Sequence, residues 1–279
     1  MITVAVFVAC RNRFDRTKVW LNSLEKEVPG NWDLSIYAVD DGSTDLTFET
    51  LVNARFWIDV TRGPGDWFWA KSMSVAENKA FSASGFDYFL WANDDTEYLD
   101  GALKYIEQLR SKESSSIIVG KFVDPRDGRI TYGGLRKLGK NPFKYQILDE
   151  NIEVSVCDSF HGNFVLIPTP AAKKIGRIDG EYQHAYADYD YANRAKKLGI
   201  RIISPRSPIG TCLENKWDFG DIDKLSVRLK FAFSRKGLPI KSQVRFLRKF
   251  GPFFWIRFLI QPYIRAVLGK NANAHISLF

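Results

Sequence analysis

Residues 87–97 read DYFLWANDDTE. An apolar run of strand type ends abruptly on Asn93, Asp94 and Asp95, three oxygen-bearing side chains in a row. Burying carboxylates is costly unless something pairs with them. Hard divalent cations take oxygen ligands, and Mg²⁺ usually uses one or two carboxylates plus substrate phosphates. If extended geometry persists, Asn93 and Asp95 fall on the same side of the strand. The competing reading is a polar turn in which Asp94 or Asp95 caps the next helix.

Working back from this stretch, strands and helices alternate. AKSMSVAENKAFSASG (70–85) has a helical pattern closed by Gly85, and RFWIDV (55–60) reads as a short strand. LSIYAVDD (34–41) is another strand, after which Ser43 or Thr44 is placed to cap a helix through Phe48, Leu51 and Val52. RTKVWLNSLEKEV (16–28) has helical spacing through Val19, Trp20, Leu24 and Val28 and stops at Pro29-Gly30. ITVAVFVAC (2–10) is a buried strand. No basic region precedes its apolar run, so a strand is expected here, not a signal peptide. This alternation predicts an α/β fold with a mostly parallel central sheet, Rossmann-like and flanked by helices. Ligands in such sheets collect at the carboxyl ends of strands. Arg11-Asn12-Arg13, Asp40-Asp41 and Asn93-Asp94-Asp95 all sit there.

The second half is more mixed. SIIVGKFVD, RITYGG and SVCDSFHGNFVLIP hold strand-like runs, and ADYDYANRAKKLG (187–199) is a helix that stops at Gly199. Asp190 and Arg194 lie one helical turn apart, the spacing of an ion pair. Asp188 falls near the helix start, where a carboxylate either offsets the helix dipole or serves as a general base. His161 and His184 are two of only three histidines. In GPGDWFWAK (63–71) aromatics cluster for packing or for stacking on a base or sugar, and Lys71 is placed to meet a phosphate. In VDDGSTD (39–45) the carboxylates form an Asx-turn before a helix, or accept hydrogen bonds from a nucleotide's base and ribose.

The net charge of +8 is unevenly spread: residues 221–279 hold 12 Lys and Arg against 2 Asp and Glu, and the rest of the chain has a balance of −2. A nucleic-acid binder with a basic body is therefore excluded, and a basic, aromatic, helical C-terminal stretch divided by Pro239, Gly251-Pro252 and Pro262 is expected. Its apolar runs are far short of the ~20 residues that span a bilayer. It reads either as helices packed on the domain or as helices lying on an anionic membrane surface. Three cysteines without metal-type spacing read as reduced thiols, as in the cytoplasm.

Together these motifs resemble the family 2 glycosyltransferases of GT-A fold over about residues 1–215. The resemblance rests on the first strand followed by RNR, on VDDGSTD, on WANDDT in the place of the family's Asp-x-Asp, and on ADYDYANR in the place of its Glu-Asp-x-Asp-x-x-x-Arg. The run from LWANDDT through TYGGL and HGNFVLIP to HAYADYDYANRAKKLG is similar to a subgroup from bacterial surface-polysaccharide loci, including O-antigen and capsule. The resemblance implies inverting transfer of a hexosyl or deoxyhexosyl group from a nucleotide-diphosphate sugar to a glycan or lipid-linked acceptor, with Mn²⁺ or Mg²⁺ as cofactor. It implies a catalytic unit over 1–220, with a nucleotide-sugar half at 1–97, an acceptor half at 98–220 and the basic extension at 221–279. The protein would sit in the cytoplasm, peripheral to the inner face of the membrane. Carried over by position, Asp188 is the base and Asp95 the metal ligand. Arg11, Asp40, Asp41, Lys71, Asn93 and Asp94 face the donor. His161, His184, Asp190 and Arg194 belong to the acceptor side or support the site. The chain departs from the family pattern in Asn93 for the first Asp, Ala187 for Glu, and SPIGTCLEN, which has Cys212 and no His, after the last strand. A nucleotidyltransferase would want glycines directly after the first strand, which CRNRFDR lacks. A non-catalytic assembly partner would have no need of Asp95 and Asp188.

Overall fold

The computed structural model describes residues 1–183, 185–214, 224–234 and 237–268. The first half runs β1 (Ile2–Cys10), α1 (Phe14–Glu27), β2 (Trp32–Asp40), α2 (Thr47–Val52), β3 (Ile58–Arg62), α3 (Phe68–Ala83) and β4 (Tyr88–Asn93). There follow β5 (Glu97–Tyr98), α4 (Ala102–Lys112), β6 (Ile117–Val119), β7 (Phe122–Val123), β8 (Ile130–Tyr132), β9 (Gly134–Lys137), β10 (Tyr145–Ile147), β11 (Val154–Val156), β12 (Ser159–Phe160) and β13 (Phe164–Pro168). Then come α5 (Thr169–Ile175), α6 (Ala187–Lys197), β14 (Ile202–Pro205), β15 (Gly210–Thr211), α7 (Leu225–Ala232), α8 (Ile240–Phe250) and α9 (Ile256–Leu268).

The central sheet has the order β11-β14-β6-β13-β4-β1-β2-β3, with β13 and β11 antiparallel to an otherwise parallel array. Two small sheets, β10-β9-β12 and β5-β15-β7-β8, lie beside it. The strand period explains burial on both faces. From β1, Ala5 and Phe7 join one core cluster with Trp91 and Tyr191, while Val4, Val6 and Val8 join the other with Trp20 and Leu24. Chain order reverses between β1 and β4, the topological switch where such sheets bind ligands. Cα pairing of Cys10 with Asp40 and of Ala9 with Asn93 brings the ends of β1, β2 and β4 level. Three polar clusters far apart in sequence therefore stand side by side.

Local expectations are corrected in three places. Val19 points away from the core, which α1 reaches through Trp20, Leu21 and Leu24 instead. The cap expected of Ser43 or Thr44 falls to Asp45, whose carboxylate accepts the Thr47 N–H at 3.0 Å, because Ser43 and Thr44 are spent on Asn12. Pro262 does not divide the last helices but lies inside α9.

The C-terminal helices are built into the molecule. In α8, Phe246 and Leu247 are fully buried, and Phe246 joins the core cluster that holds Trp91. Asp190, with no exposed surface, accepts Arg194 Nε at 2.6 Å, Lys249 Nζ at 2.7 Å and the Tyr182 hydroxyl at 3.0 Å. The Asp190–Arg194 pair expected from the helical spacing forms, and α8 contributes a second cation. Asp190→Asn keeps the size and removes the charge. It is expected to cost about 1.5–3 kcal/mol, the range for hydrogen bonds to charged groups, read as a shift in urea midpoint at unchanged slope.

Candidate active site

The turn after β4 separates its two aspartates. Asp94 turns inward and is fully buried; its carboxylate meets Arg13 Nη1 at 2.7 Å and accepts the Thr17 hydroxyl at 3.0 Å. Burial pushes the Asp94 pKa up to about 6, against the pull of Arg13. Asp95 keeps some solvent access, with Oδ2 3.0 Å from Arg13 Nη1. The Cys212 thiol faces Asp95 Oδ1 at 3.8 Å. Burial opposes the Arg13 charge, but Asp94 and Asp95 outweigh it and hold its pKa above the ordinary value. Asn93 Oδ1 accepts the Trp69 indole N–H at 2.9 Å. Asn93 and Asp95 line one cavity of about 370 Å³ with Arg13, Trp69, His161 and Asp188. The expected same-side placement of positions 93 and 95 is thus met through a turn and not by continued extension.

The second strand end works differently. Both Asp41 oxygens are taken by the 63–68 loop, through Gly65 N–H at 2.9 Å and Phe68 N–H at 3.0 Å. Asp41 also touches a neighbouring cavity of about 570 Å³ with Arg11 and Arg13. The loop comes so close that a Cβ on Gly42 would stand 2.9 Å from the Gly65 backbone, and Gly42 has φ +66°. Asp40 is buried; it accepts Ser43 N–H at 3.2 Å and has Arg62 Nε at 3.7 Å. Lys71 is on the exposed face of α3.

Asp188, in the first turn of α6, also lines the first cavity. Its pKa is raised to about 6 by burial, although hydrogen bonds from the Tyr189 and Gly162 backbones favour the charged form. His161 is held neutral, its pKa lowered to about 4 by burial. Its Nδ1 accepts the Gly133 N–H at 3.3 Å, so the ring proton sits on Nε2. Tyr186, just before α6, has φ +79°, a conformation uncommon for a bulky residue. Helix α8 holds it: Phe246 stacks on its ring at 5.7 Å between centroids, and Gln243 Nε2 donates to its hydroxyl at 3.4 Å. The tail thereby supports the turn that presents Asp188. His184 lies outside the described residues. Asp190, buried, and Arg194, partly buried, pair along α6 itself and do not line the cavity.

Sequence reading took Arg11 from RNR and overlooked Arg13, the residue that ties Asp94 to Asp95. It did not single out Trp69, Gly162 or Gln243 either, and it read Phe246 only as one of the aromatics of the C-terminal stretch. Gly162 is a sensitive point, since a Cβ there would lie 2.7 Å from the Trp69 ring whose N–H orients Asn93. Gly162→Ala is expected to force that ring aside at about 1–3 kcal/mol. The measurement is the urea midpoint of unfolding, and a wild-type midpoint would show that the ring yields to a Cβ without cost.

A family model described as glycosyl transferase family 2 matches residues 5–175. No curated protein matches the chain. Among solved structures, residues 1–349 of TarS from S. aureus align at 16% identity and TM-score 0.56, over 98% of this chain and 87% of that one. The mannosyltransferase PcManGT from Pyrobaculum calidifontis, in complex with GDP-Man and Mn²⁺, aligns at 15% identity and TM-score 0.55, over 99% and 74%. GalNAc-T7 with UDP, GalNAc and Mn²⁺ aligns at 15% identity and TM-score 0.59, over 95% and 58%. At these identities the likeness is one of fold.

Proposed function

Taking as premise that the chain belongs to glycosyl transferase family 2, we propose that it is an inverting glycosyltransferase. It moves a sugar from a nucleotide-diphosphate donor to a hydroxyl of a glycan or lipid-linked glycan in surface-polysaccharide assembly. The observation that carries this reading is the sharing of one cavity by Asn93, Asp95, His161 and Asp188. The donor lies over the 1–97 half, and the acceptor is held by the 98–220 half.

Asp188 accepts the proton of the attacking hydroxyl as that oxygen closes on the anomeric carbon from the face opposite the leaving diphosphate. The Tyr189 and Gly162 backbones hold the carboxylate in place for this step. His161 is neutral and offers Nε2–H to a sugar hydroxyl. Arg11 and Arg13 border the second cavity and supply positive charge to the diphosphate. Among the described residues, no group of three or more His, Cys, Asp or Glu side chains is placed to hold a metal. Asp94 is committed to Arg13 and Thr17, which leaves Asp95 as the carboxylate offered to the cavity. That donor set fits a hard cation that takes one protein carboxylate and completes its shell with phosphate oxygens and water. When bound, Mn²⁺ or Mg²⁺ would neutralise the charge that develops on the leaving diphosphate.

The test is a panel of nucleotide sugars incubated with the protein, with and without Mn²⁺ or Mg²⁺, with release of nucleoside diphosphate as the readout. A thermal-shift screen precedes it, since a ligand at 100 times its Kd adds about 2.7 kcal/mol. Failure of every nucleotide sugar to bind or turn over would overturn the reading.

A further inference from the structure

The last helix carries a face that the fold leaves uncovered. In α9, Phe258 and Ala266 are buried against the rest of the protein. Ile256, Ile260, Ile264 and Val267 are 55%, 48%, 45% and 50% exposed. At about 100° per residue these four lie within ~80° of one another on the helix surface, away from the buried side. Phe253, wholly exposed, and Phe254, about half exposed, extend the face at the end where α9 begins. Arg257, exposed, borders this face, while Arg265, also exposed, lies ~80° further round toward the buried side. No Asp or Glu occurs anywhere in residues 224–279. An apolar stripe with solely basic neighbours is the pattern of a helix lying in a membrane interface. The described helices include none long and apolar enough to cross a membrane.

We propose that this face of α9, with Phe253 and Phe254, docks flat on an anionic lipid bilayer. The apolar side chains enter the acyl boundary while Arg257, on the border of the stripe, reaches the headgroups. Charge selects this occupant. A second copy packed through the same face would bring arginines against arginines, with no acidic residue in the stretch to answer them. A lipid surface supplies both the apolar phase and the anions. α8, which precedes α9, stacks Phe246 on the Tyr186 ring, and Tyr186 lines the cavity. Docking through α9 therefore sets the site beside the surface on which a lipid-carried acceptor would arrive. The binding claim itself stands apart from the sugar-transfer reading.

The experiment is co-sedimentation of the full chain with vesicles of phosphatidylcholine alone or of phosphatidylcholine mixed with the anionic phosphatidylglycerol. The expected result is binding to the anionic vesicles only, weakened at high salt. The double variant Ile260→Asp/Ile264→Asp should bind at least about tenfold more weakly, because two buried aliphatic side chains are exchanged for charges an anionic surface repels. Arg257→Gln should weaken binding about fivefold, and Arg265→Gln by less, since it lies further from the stripe. Both Ile positions are exposed, so the variant's thermal midpoint should match wild type, and donor-stimulated turnover in solution should persist. Equal sedimentation of the double variant, or no binding by the wild type, overturns the proposal. So does a concentration-dependent dimer that the same substitutions abolish, since that assigns the face to a second copy.

Discussion

Asp188→Asn is expected to lower kcat by about 10²–10⁴ while leaving fold and donor affinity intact, the usual worth of a general base. The alternative role for Asp188, compensating the α6 dipole from its first turn, predicts a loss of only about 0.3–1 kcal/mol in stability. The catalytic loss corresponds to about 3–5 kcal/mol in the barrier. The two roles are therefore separable by size as well as by observable. The pH dependence adds a third criterion. Burial raises the Asp188 pKa to about 6, so the carboxylate is protonated and idle as a base below that pH. Wild-type kcat/KM should fall about tenfold per unit as pH drops below 6. The variant, having no proton to lose there, should show a flat profile over the same range. An Asn variant that unfolds would make Asp188 structural. One that keeps wild-type kcat would move the base elsewhere, and not to His161, whose Nδ1 lone pair is taken by the Gly133 N–H.

The linkage runs the other way for stability. A carboxyl whose folded pKa lies above its unfolded value stabilises the fold most when protonated, and that contribution fades as pH rises through the folded pKa. Asp94 and Asp188, both raised to about 6, thus favour the fold at low pH and give up that contribution between about pH 4 and 6. On the proposed role of Asp188, activity needs it charged, so the site would gain its base in the range where the fold loses some stability. Such opposition is expected where a buried carboxylate is kept for chemistry.

How much of this could be read from sequence follows from the range of each interaction. Strands β1, β2 and β4 were legible because β-branched and aromatic runs buried on both faces have no other economical fold. The polar clusters at their ends were legible as a group because strand ends in a parallel sheet converge. Their internal division was not. Whether Asp94 or Asp95 faces the cavity depends on Arg13, 81 residues away from Asp94, and on the level ends of β1 and β4. The same limit hid the role of Asp41, whose oxygens are claimed by backbone N–H groups of a loop that sequence presents only as glycine-rich. Helix α8 shows a third kind of limit. Its basic and aromatic composition fits a packed helix and a surface helix equally, and the choice lies in the partners. Asp179 takes Arg245 and Lys249, and Tyr186 takes Phe246 and Gln243. α9, by contrast, is left with an apolar stripe that the described residues do not cover.

The second large effect belongs to Asp95. Asp95→Ala is expected to reduce metal-stimulated turnover by about 10²–10³, the cost of removing one preorganised electrostatic contact from a developing charge. Donor binding without metal should change little. The neighbouring carboxylate cannot take over. Asp94 has no exposed surface and is bound to Arg13 and Thr17, so freeing it would leave a buried guanidinium contact and a buried hydroxyl unpaired. Asn93 cannot take over either, because a carboxamide offers a neutral oxygen, already used by Trp69. Loss of Asp95 also frees Arg13 from one of its two partners, which strengthens its attraction for the donor phosphates and would raise metal-free affinity if anything. The informative measurement is a titration of Mn²⁺ against turnover and against donor Kd in wild type and variant. A response to metal in wild type that vanishes in Asp95→Ala, with metal-free Kd preserved, assigns the carboxylate to the cation. An equal metal response in both would place the cation elsewhere and leave Asp95 as an anchor for Arg13.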